Sequence, residues 1–92
     1  MKTAQTTVKN SSGLHARPAS DFVGTAKTFQ SAITIRVASH PADTAVNAKS
    51  IIRLLSLGIT AGTEVEISAN GPDESKAVDA LISLIDSGFG EE

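Results

Sequence analysis

The chain has 92 residues, 40% of them hydrophobic and 20% charged, with a net charge of −2 at pH 7 and no cysteine. That is enough for one small domain, residues 1–92, built on a single two-layer core; the acidic balance argues against nucleic-acid binding driven by phosphate neutralisation. Disulfides and thiolate metal sites are excluded, and with neither a basic-then-apolar leader nor an apolar run near the roughly 18 residues of a membrane span, a cytoplasmic protein that does not engage membranes is expected.

In chain order, residues 3–10 are polar and β-tolerant, with Ala4, Thr6 and Val8 on one face, which predicts a first strand. Residues 13–20 then read Gly-Leu-His-Ala-Arg-Pro-Ala-Ser. Pro18 fits a first helical turn, where its missing N–H had no intrahelical partner to lose. Ala19, Phe22, Val23 and Ala26 follow the i, i+3, i+4, i+7 spacing of a buried stripe, so a helix is predicted over 16–27. Ile33, Ile35 and Val37 alternate with Thr34 and Arg36 as a half-buried strand. Ser39-His40-Pro41-Ala42-Asp43 reads as a turn, with Thr44–Ala48 returning as its partner strand. A short helix runs from Ser50 or Ile51 to about Leu55, and Leu57-Gly58 ends it. Val65, Ile67 and Ala69 alternate with Glu64, Glu66 and Ser68 in a last strand. Pro72 in a first turn opens the last helix, whose stripe is Ala77, Leu81, Leu84 and Ile85; Gly88 stops it, and Gly90-Glu91-Glu92 is expected to fray. The order βαββαβα, with short links and alternating strands, predicts an α+β open-faced β-sandwich: a four-stranded antiparallel sheet with three helices packed on one face.

The chemistry concentrates at His15, which falls at or beside the start of the first helix. A helix N-terminus presents unpaired N–H donors and about half a positive charge, a setting for a phosphate-sized anion. The same field and Arg17 repel a protonated imidazole, leaving a ring nitrogen free for nucleophilic attack on phosphorus. A phosphorylated ring would be stabilised by the amides of Ala16 and Arg17 and by the Arg17 guanidinium. Taken alone, a histidine at a helix start is usually an ordinary loop residue. Arg17, a cation where the dipole disfavours cations, is what points to an anionic ligand.

The stretch Gly13–Ser20 resembles the active-site signature of HPr, the histidine-containing phosphocarrier of the bacterial phosphoenolpyruvate:sugar phosphotransferase system. A second stretch, Asn47-Ala48-Lys49-Ser50-Ile51-Ile52-Arg53-Leu54-Leu55-Ser56-Leu57-Gly58, resembles the family's regulatory-serine region, and the Thr63–Gly71 strand and Asp73–Asp86 helix also fit. The resemblance implies a monomeric, stoichiometric phosphoryl carrier without cofactor or metal. His15 would be phosphorylated at Nδ1 by enzyme I, and the group would pass to sugar-specific A components. It also implies a regulatory phosphosite at Ser50, with a serine kinase/phosphorylase and a transcription factor as further partners, and a docking surface on the short helix.

Each of these residues also has a plainer role. Ser50 before an apolar helical run is an N-cap, a role compatible with phosphorylation. The short helix cannot turn Ile51, Ile52, Leu54, Leu55 and Leu57 all inward; Ile51, Ile52 and Leu55 are the outward candidates for partner binding, with Arg53 at their rim. Lys27 and Lys49 are candidates for steering acidic partners. His40, in a polar turn without a helix start or an adjacent arginine, reads as a surface histidine, and its turn is longer than the family's usual hairpin. Two other classes fare worse. An acylphosphatase-like enzyme needs a glycine-rich loop with a catalytic arginine where this chain has His15. An RNA-binding sheet needs strand aromatics, and the aromatics here are three phenylalanines, Phe22 and Phe29 in or near the first helix. A purely regulatory relative would lack the acceptor histidine. Nitrogen-branch phosphocarriers share the motif, and the Ser50 region favours the sugar branch.

Overall fold

The computed structural model describes residues 1–90. Seven elements follow in the expected order: β1 (Lys2–Thr7), α1 (Ala16–Ala26), β2 (Ala32–Val37), β3 (Val46–Asn47), α2 (Ile51–Ser56), β4 (Glu64–Asn70) and α3 (Glu74–Asp86). The strands form one antiparallel sheet in the order β1-β4-β2-β3. Val8, Ile33, Ile35, Val65, Ile67 and Ala69 face the helices and are buried. Against them lie Ala19, Phe22, Val23 and Ala26 of α1, Leu54 of α2, and Ala77, Val78, Leu81 and Ile85 of α3. The period-2 pattern of the strands and the period-3.6 pattern of the helices therefore meet in one core.

The opposite face of the sheet is polar and is covered by none of the three α-helices. Gln5, Glu66 and Arg36 share a register across three strands: Gln5 Nε2 donates to Glu66 (3.1 Å), and Arg36 pairs with the same carboxylate (3.0 Å). Arg36 Nη1 also donates to the carbonyls of Ala38 (2.8 Å) and His40 (2.7 Å), so one guanidinium latches the long turn after β2 to the sheet.

Several expected boundaries move, each for a local reason. β1 ends at Thr7; Val8 still bonds to Thr63 O (2.9 Å), but Asn10 already belongs to a turn closed by Gly13 N donating to Asn10 O (3.1 Å). The return strand predicted over 44–48 contracts to Val46–Asn47. Residues 42–44 instead coil into a 3₁₀ turn, with both the Thr44 N–H (3.0 Å) and its hydroxyl (2.6 Å) bonded to Pro41 O. Pro72 stands before the last helix rather than in its first turn, because α3 begins at Glu74. Val78 takes the buried place expected for Leu84, which is half-buried. Gly88, at φ +69°, leads into a short 3₁₀ turn through Gly90. The expected fraying of Glu91 and Glu92 lies outside the described residues.

Candidate functional site

The site is built on a backbone clamp. After β1 the chain turns at Asn10, whose buried side-chain amide donates to Gly13 O (2.8 Å). Gly13 sits at φ +64°, and a Cβ there would lie 2.6 Å from Ile59 O and 2.7 Å from Thr60 Cα, so only glycine lets the two loops approach. Leu14 N then donates to Ile59 O (3.1 Å), and its side chain is buried. Residues 10–14 are thereby fixed to the segment that follows α2, and α1 itself packs against α2.

Immediately beyond this clamp the chain emerges. His15 is exposed and is the N-cap of α1, with extended backbone (φ −130°, ψ 162°). Its side chain makes no capping hydrogen bond, and the first turn contains no acidic residue. The first-turn N–H groups have no intrahelical acceptor, so the positive end of the helix meets solvent beside the imidazole. Ala16 holds φ +50°, a left-handed conformation that disfavours an alanine by about 1–2 kcal/mol. Strain of this kind gathers where surrounding structure dictates the backbone. Here the dictating structure is the Gly13–Leu14 clamp on one side and the buried Pro18 and Ala19 on the other.

Arg17, in the same first turn, extends into solvent with its side chain 91% exposed, and its nearest carboxylate is Asp21 (Nε to Oδ2, 4.0 Å). On α2, Ser50 is the N-cap and its hydroxyl accepts the Arg53 N–H (3.3 Å). Ile51, Ile52 and Leu55 are exposed to 38, 77 and 42%, while Leu54 between them is fully buried. The short helix thus presents the three apolar side chains expected from its length, with exposed Arg53 among them. Since Gly13 and Leu14 touch Ile59 and Thr60, just past the C-terminus of α2, His15 and this apolar surface belong to one end of the molecule.

The two lysines named as steering candidates sit differently. Lys27 is an exposed C-cap of α1. Lys49 is not a freely displayed charge: its ammonium donates to Phe29 O (2.8 Å), tying the entry of α2 to the end of α1. His40 is exposed in its turn, away from any helix start. Sequence reasoning missed Asn10, whose signal was the Asn-x-x-Gly spacing of a closed turn, and Asp21, whose signal was its i+4 position from Arg17. Among the described residues no cluster of three His, Cys, Asp or Glu could hold a metal ion, and no described helix is long and apolar enough to cross a membrane.

The site therefore joins an exposed imidazole at the positive end of a helix, an exposed guanidinium two residues on in the first turn, and an apolar surface on the short helix. The model of a family described as the PTS HPr component phosphorylation site matches residues 2–87. The phosphocarrier protein HPr of Haemophilus influenzae is 47% identical over 75 residues, covering 82% of this chain and 84% of that protein. The phosphocarrier protein NPr of Proteus mirabilis is 42% identical over 85 residues, 92% of this chain and 91% of its own. Among solved structures, an HPr from Thermoanaerobacter tengcongensis superposes with a TM-score of 0.91 at 48% identity, covering 100% of this chain and 99% of that one.

Proposed function

The chain belongs to the HPr family and is a phosphocarrier of the phosphoenolpyruvate:sugar phosphotransferase system, and from that premise we propose that His15 is its phosphoacceptor. The observation that carries this reading is the exposed His15 at the start of α1, a helix whose first turn brings neither a side-chain cap nor a carboxylate of its own. A ring buried among the core residues would have been closed to any incoming protein.

On this reading, phosphorylated enzyme I presents its phosphohistidine to the ring. The Nδ1 lone pair of His15 attacks phosphorus in line as the bond to the donor imidazole breaks, and that imidazole leaves with its electron pair. The amides of Ala16 and Arg17 and the Arg17 guanidinium orient the group and neutralise its charge in transit, which is most of what phosphoryl transfer asks of a protein. The reverse geometry then delivers the group to a histidine on a sugar-specific A component, so the protein is loaded and unloaded stoichiometrically. Both partners dock on Ile51, Ile52 and Leu55, with Arg53 at the rim. Ser50, holding the start of α2, is the candidate for phosphorylation by a serine kinase that would place charge on the same docking face.

Incubation with phosphoenolpyruvate, magnesium and enzyme I, followed by intact-mass measurement, tests the assignment. One acid-labile phosphoryl adduct is expected on the native chain and none on His15→Ala. An adduct that persists in the variant moves the acceptor to another residue, His40 first, and overturns the assignment.

A further inference from the structure

Resting on the assignment of His15, we infer that Asp21 is a positioning residue for the transfer: it draws Arg17 along α1 away from the phosphoryl site and competes with the phosphoryl group for the guanidinium. Arg17 and Asp21 are the two charged residues of α1, of opposite sign and one turn apart. Their separation of 4.0 Å, with side chains 91% and 43% exposed, is that of a solvated pair that forms and breaks freely. The order is also the weaker one for a helix, with the cation N-terminal to the anion. Two forces nevertheless favour it. The helix dipole repels a guanidinium from the first turn, and Asp21 offers the opposite charge on the C-terminal side.

A phosphoryl group on His15 reverses the balance. It brings more negative charge than a carboxylate and places that charge at the positive end of the helix, so Arg17 leaves Asp21 for it. Loading therefore includes breaking the Arg17–Asp21 pair, and unloading includes re-forming it. Asp21 also remains as a like charge one turn from the phosphoryl oxygens. Both effects lower the stability of the loaded form relative to a chain without a carboxylate at 21. For a carrier this is useful, since a site that held the group too firmly would accept it and fail to release it. Asp21 sets the poise between the two.

The size follows from i, i+4 pairs on helices, whose stabilisation corresponds to about a twofold change in an equilibrium constant. The test is equilibrium loading of the full chain by enzyme I at a fixed ratio of phosphoenolpyruvate to pyruvate, read by intact mass. Asp21→Asn is expected to raise the loaded-to-unloaded ratio about twofold, Asp21→Glu to restore the native ratio, and salt near 1 M, where the Debye length is about 3 Å, to erase the difference. A structural role alone would move the unfolding midpoint of Asp21→Asn and leave the ratio where it was. An unchanged ratio in Asp21→Asn, an equal shift in Asp21→Glu, or a shift indifferent to salt overturns the inference. If the native chain loads normally while Asp21→Asn does not differ from it, this inference alone falls; if the native chain does not load, the assignment of His15 falls with it.

Discussion

The starts of α1 and α3 face the same electrostatic problem and meet it in opposite ways. At α3 the chain supplies its own anions. Asp73 accepts from Gln30 N (2.9 Å), Ser31 N (3.0 Å) and the Ser31 hydroxyl (2.5 Å), and Glu74 accepts from Gly71 N (3.1 Å) and pairs with the terminal amine of Met1 (3.0 Å). Both carboxyls lie below their ordinary range, Asp73 mainly through the Ser31 hydroxyl and then the Gln30 amide, Glu74 mainly through the Gly71 amide and then the N-terminal ammonium. α2 is closed in the same spirit by the Ser50 hydroxyl. At α1 the N-cap is a histidine and the first turn holds a cation and no carboxylate. At α3 the anions are supplied by the chain itself; at α1, on the proposed function, the anion is left to arrive on a partner.

The contrast breaks most visibly at Gly13. Gly13→Ala forces a Cβ to 2.6 Å from Ile59 O at φ +64°, combining an overpacking term with a left-handed penalty for a loss of about 3 kcal/mol in urea unfolding. Loading of His15 should fall with it, because the clamp that presents the ring is the structure being displaced. A stability equal to that of the native chain would show that the 13–14 and 59–60 segments separate easily, and that the rigid support under His15 is absent.

Acid sharpens the comparison from the α3 side. Because the carboxyl of Asp73 is held lower in the folded chain than in the unfolded one, its contribution to stability is present above about pH 4 and is lost as the pH falls through the folded-state value. Thermal midpoints should therefore fall between pH 5 and pH 2. Asp73→Asn should be less stable than the native chain at neutral pH and lose less on acidification. Parallel curves for the two proteins would remove Asp73 from the acid response.

A smaller effect of opposite sign is expected at Ala16. Glycine accepts φ +50° without the penalty alanine incurs, while its greater freedom in the unfolded chain returns part of the gain. Ala16→Gly should stabilise the fold by about 0.5 kcal/mol, measured by denaturant midpoint. Destabilisation would mean that the left-handed backbone at 16 is not strained.

Much of this was legible in the residues themselves. Alternation fixed β2 and β4, helical spacing fixed α1 and α3, Ser50 announced the cap of α2, and the brevity of that helix predicted the exposure of Ile51, Ile52 and Leu55. The octapeptide placed His15 at the start of α1. What escaped were contacts between segments far apart in the chain, which leave no periodic trace. Asp73 reaches back to Gln30 and Ser31, so it serves the α1–β2 junction rather than capping its own helix. Lys49 likewise reaches back to the Phe29 carbonyl. In each case a polar side chain satisfies a backbone group across the fold, and neither partner's spacing along the sequence encodes the match.

The finest discrimination concerns α2, where adjacent apolar positions serve different ends. Leu54 is fully buried, and Leu54→Ala should cost about 2–5 kcal/mol. Ile52, two residues earlier, is 77% exposed, and Ile52→Asp should leave stability within about 0.5 kcal/mol of the native chain. Loading by enzyme I should nonetheless slow about fivefold or more in Ile52→Asp, the counterpart of 1 kcal/mol at an interface position. Stability and transfer then separate on one helix, with fold energy on the inward leucine and partner recognition on the outward isoleucine. If Ile52→Asp loads at the native rate, α2 is not the docking face, and the exposed aliphatics are ordinary surface. His15 would keep its role in that case, because its presentation depends on the Gly13–Leu14 clamp and the start of α1, neither of which involves the side chain of Ile52.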